Sequence, residues 1–140
     1  MVTAHVIVDL QIGFLKKADH EFSRKIIRNV CNYIKENPGN YIVLEYISSD
    51  REFGTTHYRI ISTLKEYNRS FTVSHKTTND GSAEVIDIAK SDDMLMHFNV
   101  LGVNKDYCVG ETVNSLRFKY GAKVKTIDDC VGCCWTSVIG

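Results

Sequence analysis

Met94-Leu95-Met96-His97-Phe98-Asn99-Val100-Leu101, closed by Gly102, decides the fold, because an apolar run of this length reads as a strand covered on both faces of a sheet. The period then changes. Val109, Val113, Leu116 and Tyr120 recur every three or four residues, which marks one face of a helix, and Gly121 is the residue type that commonly ends one. Lys123-Val124-Lys125-Thr126-Ile127 returns to strand chemistry. Strand, helix, strand in that order joins two parallel neighbours by a right-handed crossover.

The same alternation runs back towards the N-terminus. Ser70-Phe71-Thr72-Val73-Ser74 reads as a short strand, Thr77 to Gly81 as a loop, and Ser82 as the cap of a helix through Lys90. Before them, Ile60, Ile61 and Leu64 suggest a helix within His57 to Tyr67, following a polar stretch from Ser49 to Thr56. Tyr41 to Ile47 is a mostly apolar strand entered through the turn Asn37-Pro38-Gly39-Asn40. Phe22, Ile26, Val30 and Ile34 line one face of a long helix, and His5-Val6-Ile7-Val8 is a β-branched strand ending at Asp9. The expected architecture is a three-layer α/β/α, Rossmann-like fold with a mostly parallel central sheet, formed by residues 1–140 as a single domain.

Composition narrows the function. The 140 residues are 44% hydrophobic and 24% charged with a single proline, enough apolar material for a core and too little polar bias for disorder. Lys plus Arg equals Asp plus Glu at 17 each, so no long-range field gathers nucleic acid or an anionic membrane, and a small-molecule partner is expected instead. No run approaches the roughly 18 apolar residues of a spanning helix, and the first residues lack a leader pattern, so a cytoplasmic location is expected. Five cysteines, an odd number, point to reduced thiols rather than a disulfide scaffold.

In open parallel sheets ligands bind beyond the carboxyl ends of the strands. Asp9, Asp50, Lys76, the Gly102 to Cys108 turn and Asp128 each follow a predicted strand, so the fold is expected to gather them at one edge. A cysteine attacks carbon as the thiolate and therefore needs a lowered pKa or a neighbouring base. Cys108 opens a helix, whose N–H groups favour an anion; Lys76 adds positive charge, and Asp9 can take the proton. The same N–H groups can hold a developing oxyanion. The bland alternatives are a Cys108 that merely fills the core, an Asp9 that caps its segment and a solvated Lys76. Cys31 reads as core, and Cys130, Cys133 and Cys134 as packed or unpaired thiols, because a structural zinc needs a second half-site. Among the histidines only His57 is placed to reach the site, and Phe14 and Trp135 can wall a planar substrate.

Gly102-Val103-Asn104-Lys105-Asp106-Tyr107-Cys108-Val109, followed by Thr112 and by Phe118 to Val124, resembles the nucleophile turn, helix and strand of the isochorismatase-like cysteine hydrolases, a family including nicotinamidases and N-carbamoyl amidohydrolases. Val8-Asp9-Leu10-Gln11 with Phe14 resembles the family's opening Asp-x-Gln-x-x-Phe motif, and His75-Lys76 with Ser82-Ala83 its lysine segment, with Glu84 where Phe is usual. The resemblance implies Asp9, Lys76 and Cys108 as the catalytic set. It also implies a cis peptide between Val103 and Asn104 that aims the N–H groups of Asn104 and Cys108 at an oxyanion. Gln11, Phe14, His57 and Tyr107 are the candidate substrate contacts.

Two departures shape what is expected. Where nicotinamidases carry an Asp-x-His metal motif, this chain has Asp50-Arg51-Glu52 and then His57, so neither metal nor other cofactor is expected, and these three are the only candidates for a hard ion. Family members generally continue for about another helix and strand, so a short form relying on subunit contacts, a homo-oligomer, is expected. The leading function is hydrolysis of a small-molecule amide or carbamoyl C–N bond through a thioester on Cys108. The alternatives are a catalytically reduced relative that binds a metabolite or a protein, and an isochorismate-type vinyl-ether hydrolase, in which Cys108 would be idle.

Overall fold

Every side chain of β1 (Ala4–Val8) is buried, which requires cover on both faces, and the strand's neighbours supply it. The computed structural model describes residues 3–140. After β1 come α1 (Ile12–Lys17), α2 (His20–Glu36), β2 (Asn40–Tyr46), α3 (Tyr58–Glu66), β3 (Ser70–Lys76) and α4 (Ser82–Ser91). Then follow β4 (His97–Val103), a wide π-type turn (Lys105–Val109), α5 (Gly110–Phe118), β5 (Lys123–Cys133) and β6 (Val138–Ile139). The strands form one sheet in the order β3-β2-β1-β4-β5-β6, parallel except for β6.

Alternation along the strands makes the layers. Ile7, Tyr41, Val43, Leu101 and Val103 pack with Ile26, Val30 and Ile34 of α2 and Ile60 and Leu64 of α3. Val6, Val8, Ile42, Leu44, Phe98 and Val100 face the other way, onto Val85 and Ala89 of α4 and Val113 and Leu116 of α5. The chain is thus an α/β protein of the expected three layers. No helix among the described residues is long and apolar enough to cross a membrane.

Register brings the strand ends level. Val8 pairs with both Leu44 and Gly102, and Tyr46 pairs with Lys76, so β1, β2, β3 and β4 finish along one edge. Gly102 makes the close approach possible: its φ is +124°, and a Cβ there would overlap the backbone of Val8.

The structure corrects several expected boundaries. β4 begins at His97, not Met94, because α4 ends in a turn in which the Met94 N–H donates to Ala89 O at 2.8 Å. Ser82 does not cap α4 with its side chain; the Asp80 carboxylate instead accepts the Ser82 N–H at 2.9 Å. A short helix, α1, occupies Ile12–Lys17, and Asp19 caps α2 by accepting the Phe22 N–H at 3.2 Å. β5 runs on to Cys133, with its pairing to β4 jumping from Val100–Thr126 to Gly102–Val131. Asp128 therefore lies exposed within an irregular part of a strand rather than at the sheet edge with Asp9.

Candidate active site

The floor is built where β1 and β3 end. The Asp9 N–H donates to Leu44 O at 3.1 Å and its backbone turns through φ +52°, leaving the residue fully buried. Lys76 is the last residue of β3. Its ammonium donates to Asp9 Oδ2 at 3.1 Å, to Thr78 O at 3.0 Å and to Asn79 O at 3.3 Å, so all three N–H donors have acceptors. Both side chains are 0% exposed, which removes solvent screening from the pair. The ammonium also lies 5.2 Å from the centre of the Tyr46 ring.

One atom of this floor is unsatisfied: Asp9 Oδ1 is buried without a hydrogen-bond partner. Burial raises the Asp9 carboxyl above the usual carboxylate range, while the Lys76 charge pulls it back. Cys108 sits above the floor in the turn between β4 and α5, close enough to couple electrostatically with Asp9. Its thiol donates to Asn79 Oδ1 at 3.6 Å and also faces the Asp9 carboxylate within hydrogen-bonding range. Burial, and then the Asp9 charge, push the thiol up to about 12. A thiol in this setting stays protonated at neutral pH.

The turn itself is firmly tied. The Val103–Asn104 peptide is cis, as the resemblance implied. The Asn104 carbonyl accepts from the N–H groups of Tyr107 and Val109, each at 3.1 Å, and its side-chain oxygen accepts the Cys134 N–H at 2.7 Å. That last bond draws the C-terminal segment over the site.

A cavity of about 360 Å³ opens beside Cys108, within the size range of small-molecule sites. Phe14 of α1 stacks on Phe53 at a centroid distance of 4.0 Å, and Tyr107 meets Trp135 edge-on at 6.0 Å; all four line the space, with Tyr46, Ser48, Glu52, Asn79 and Asn104. Phe14, Tyr107 and Trp135 thus stand where the sequence places them.

Gln11 and His57 do not line the cavity. Gln11 is fully buried, donating from Nε2 to Tyr46 O at 2.9 Å and Gly54 O at 2.7 Å and accepting the Tyr46 N–H at 2.7 Å. It ties the wall loop to β2. His57 caps α3 by accepting the Arg59 N–H at 3.2 Å, and it stacks on Tyr58. Asp50 closes a local turn, accepting from the Ser48 hydroxyl at 2.8 Å and the Glu52 N–H at 3.2 Å. Asp50, Glu52 and His57 consequently do not converge, and among the described residues no three His, Cys, Asp or Glu side chains are grouped to hold a metal.

Sequence reasoning missed Asn79, Tyr46, Ser48 and Phe53. Asn79 touches Cys108 and is oriented by its Nδ2, which donates to Glu111 Oε2 at 3.0 Å. Nothing in a polar loop announces such a contact. Phe53 carried a signal, as a lone aromatic residue in an otherwise polar stretch, and Gly13 seats it: a Cβ on Gly13 would collide with the Phe53 backbone.

Solved structures share the fold at low identity. Nicotinamidase PncA from Bacillus subtilis has a TM-score of 0.75 at 13% identity, over 94% of this chain and 87% of that one. MAR1 ribonuclease from Caenorhabditis elegans has 0.73 at 19%, over 94% and 65%. An isochorismatase from Pseudomonas putida has 0.72 at 14%, over 92% and 70%. The chain therefore shares the fold of these structures, and it spans 65% of the length of the MAR1 ribonuclease structure. No family model and no curated protein matches the chain.

Proposed function

We propose that this chain is a cysteine hydrolase acting on a small-molecule amide or carbamoyl C–N bond in the cytoplasm, with no metal or other cofactor. The observation that carries the reading is the solvent-free Asp9–Lys76 pair beneath Cys108, with one Asp9 oxygen left without a partner. A buried carboxylate with an empty acceptor beside a nucleophile is costly for stability alone and useful for moving a proton.

The Cys108 Sγ attacks the carbonyl carbon as its proton passes to Asp9 Oδ1. The carbonyl π electrons move to oxygen, which the N–H groups of Asn104 and Cys108 hold. Collapse of this intermediate breaks the C–N bond, and Asp9 returns the proton to the leaving nitrogen, giving a thioester. Water, deprotonated by Asp9, then attacks the thioester; the acid departs and Cys108 recovers its proton. Lys76 keeps Asp9 ionised before attack. The sheet edge at β3, mostly exposed, favours self-association into a homo-oligomer, which sedimentation would detect.

Mass spectrometry of the intact protein during turnover of small amides tests this reading. Acyl adducts confined to Cys108, with activity abolished in Cys108→Ala, are expected; activity surviving in Cys108→Ala overturns it. A second reading, binding without turnover, is favoured by the high thiol pKa and the thiol's contact with Asn79, and would show as ligand binding with no adduct.

A further inference from the structure

The walls of the cavity carry an asymmetry of charge. Glu52 is the one charged side chain lining it among the described residues; no Lys, Arg or His does so. The floor beneath adds nothing net, since Asp9 and Lys76 neutralise each other at 3.1 Å. Much of the remaining lining is aromatic, and ring faces present negative electrostatic potential to whatever enters. A carboxylate ligand would meet no counter-charge among the lining residues, whereas a cation would meet both Glu52 and the ring faces.

The corner already binds an ammonium group, that of Lys17. Its Nζ lies 3.5 Å from Glu52 Oε2 and 5.0 Å from the centre of the Phe53 ring. The two side chains are 59% and 46% exposed, so this pair is held weakly and a ligand can displace it at small cost. Phe53 in turn is fixed against Phe14, which keeps the ring half of the corner in place.

We propose that the cavity selects amide or carbamoyl compounds bearing an ammonium or amidinium group away from the scissile bond, with Glu52 and Phe53 as the specificity residues, and disfavours carboxylates. The inference rests on the hydrolase reading of Cys108 and adds the charge class of its substrate. Dicarboxylate substrates of the isochorismate kind are disfavoured by the same argument.

Benzamide, 4-(aminomethyl)benzamide and 4-carbamoylbenzoate are matched probes differing in charge at one position. Turnover is measured with the wild-type protein and binding, by calorimetry, with Cys108→Ala. The cationic probe is expected to exceed the neutral one, and the neutral one the anionic, with on the order of tenfold between the extremes at low salt and less at high salt. Glu52→Gln should compress that spread, and Lys17→Gln should widen it by freeing the corner. A neutral or anionic probe that equals or exceeds the cationic one in binding overturns the inference, as does a spread unchanged in Glu52→Gln. Absence of turnover with all three probes counts against the hydrolase reading alone, because the binding order in Cys108→Ala still decides the charge preference.

Discussion

The floor and the wall of the cavity are built on opposite plans. Asp9 and Lys76 stand at strand ends, share one short ion pair and see no solvent. Glu52, Phe53, Tyr107 and Trp135 stand on loops or turns, and Tyr107 and Trp135 are 49% and 60% exposed. The floor is held in fixed geometry, which the proposed proton transfer requires. The wall needs only a shaped surface, which loops tied down at a few points provide. Mutations in the floor should therefore be severe and coupled, and those in the wall milder and separable.

Cys108→Ala should produce the largest effect, loss of amide turnover to background with the thermal midpoint nearly kept, read by steady-state assay beside calorimetry. Lys76→Met should come next, costing about 3 to 5 kcal/mol in urea unfolding because it leaves the Asp9 carboxylate buried and unpaired. Adding Asp9→Asn to it should recover much of that loss; additive losses in the double variant would break the claim that the two act as a unit.

Gln11→Ala belongs between floor and wall. It removes three hydrogen bonds from the buried Gln11 to part-buried backbone groups of Tyr46 and Gly54, so a cost of about 1 kcal/mol is expected in the same unfolding assay.

A pH experiment sharpens the comparison further. Burial and Asp9 raise the folded Cys108 thiol from 9.0 to about 12, so its contribution to stability is full below pH 9 and is lost as pH rises towards 12. Asp9→Asn removes a charge that disfavours the thiolate, and a fall of one unit in thiol pKa makes iodoacetamide labelling at pH 9 about tenfold faster. Labelling should thus accelerate in Asp9→Asn while turnover disappears, and slower labelling would contradict the electrostatics assigned to the floor. Trp135→Ala should have the smallest effect, less than about 1 kcal/mol on stability, with a several-fold rise in KM and kcat little changed.

Residues that end strands were readable, and residues that loops deliver were not. Asp9, Lys76 and Cys108 follow apolar runs whose period is visible in the chain, and a parallel sheet brings such ends to one edge whatever their separation in sequence. Asp128 follows the same pattern but fails, because the irregular pairing of β5 prolongs that strand past it. Gln11, within the opening motif, and His57, the one histidine placed to reach the site, are expected at the cavity, yet each satisfies a backbone group instead. Asn79 and Phe53 reach the site through loop paths that no periodicity records.

The amino-acid sequence by itself determined the layered α/β architecture and the three residues that meet at its edge, because hydrophobic period and strand order are local properties whose spatial consequence is nearly unique. Only the tertiary structure decided which way the Cys108 thiol points, how high its pKa stands and which loop residues wall the cavity. Those depend on burial, on distances of a few ångströms and on backbone paths set by contacts far apart in the chain, such as Gly13 against Phe53 and Asn104 against Cys134.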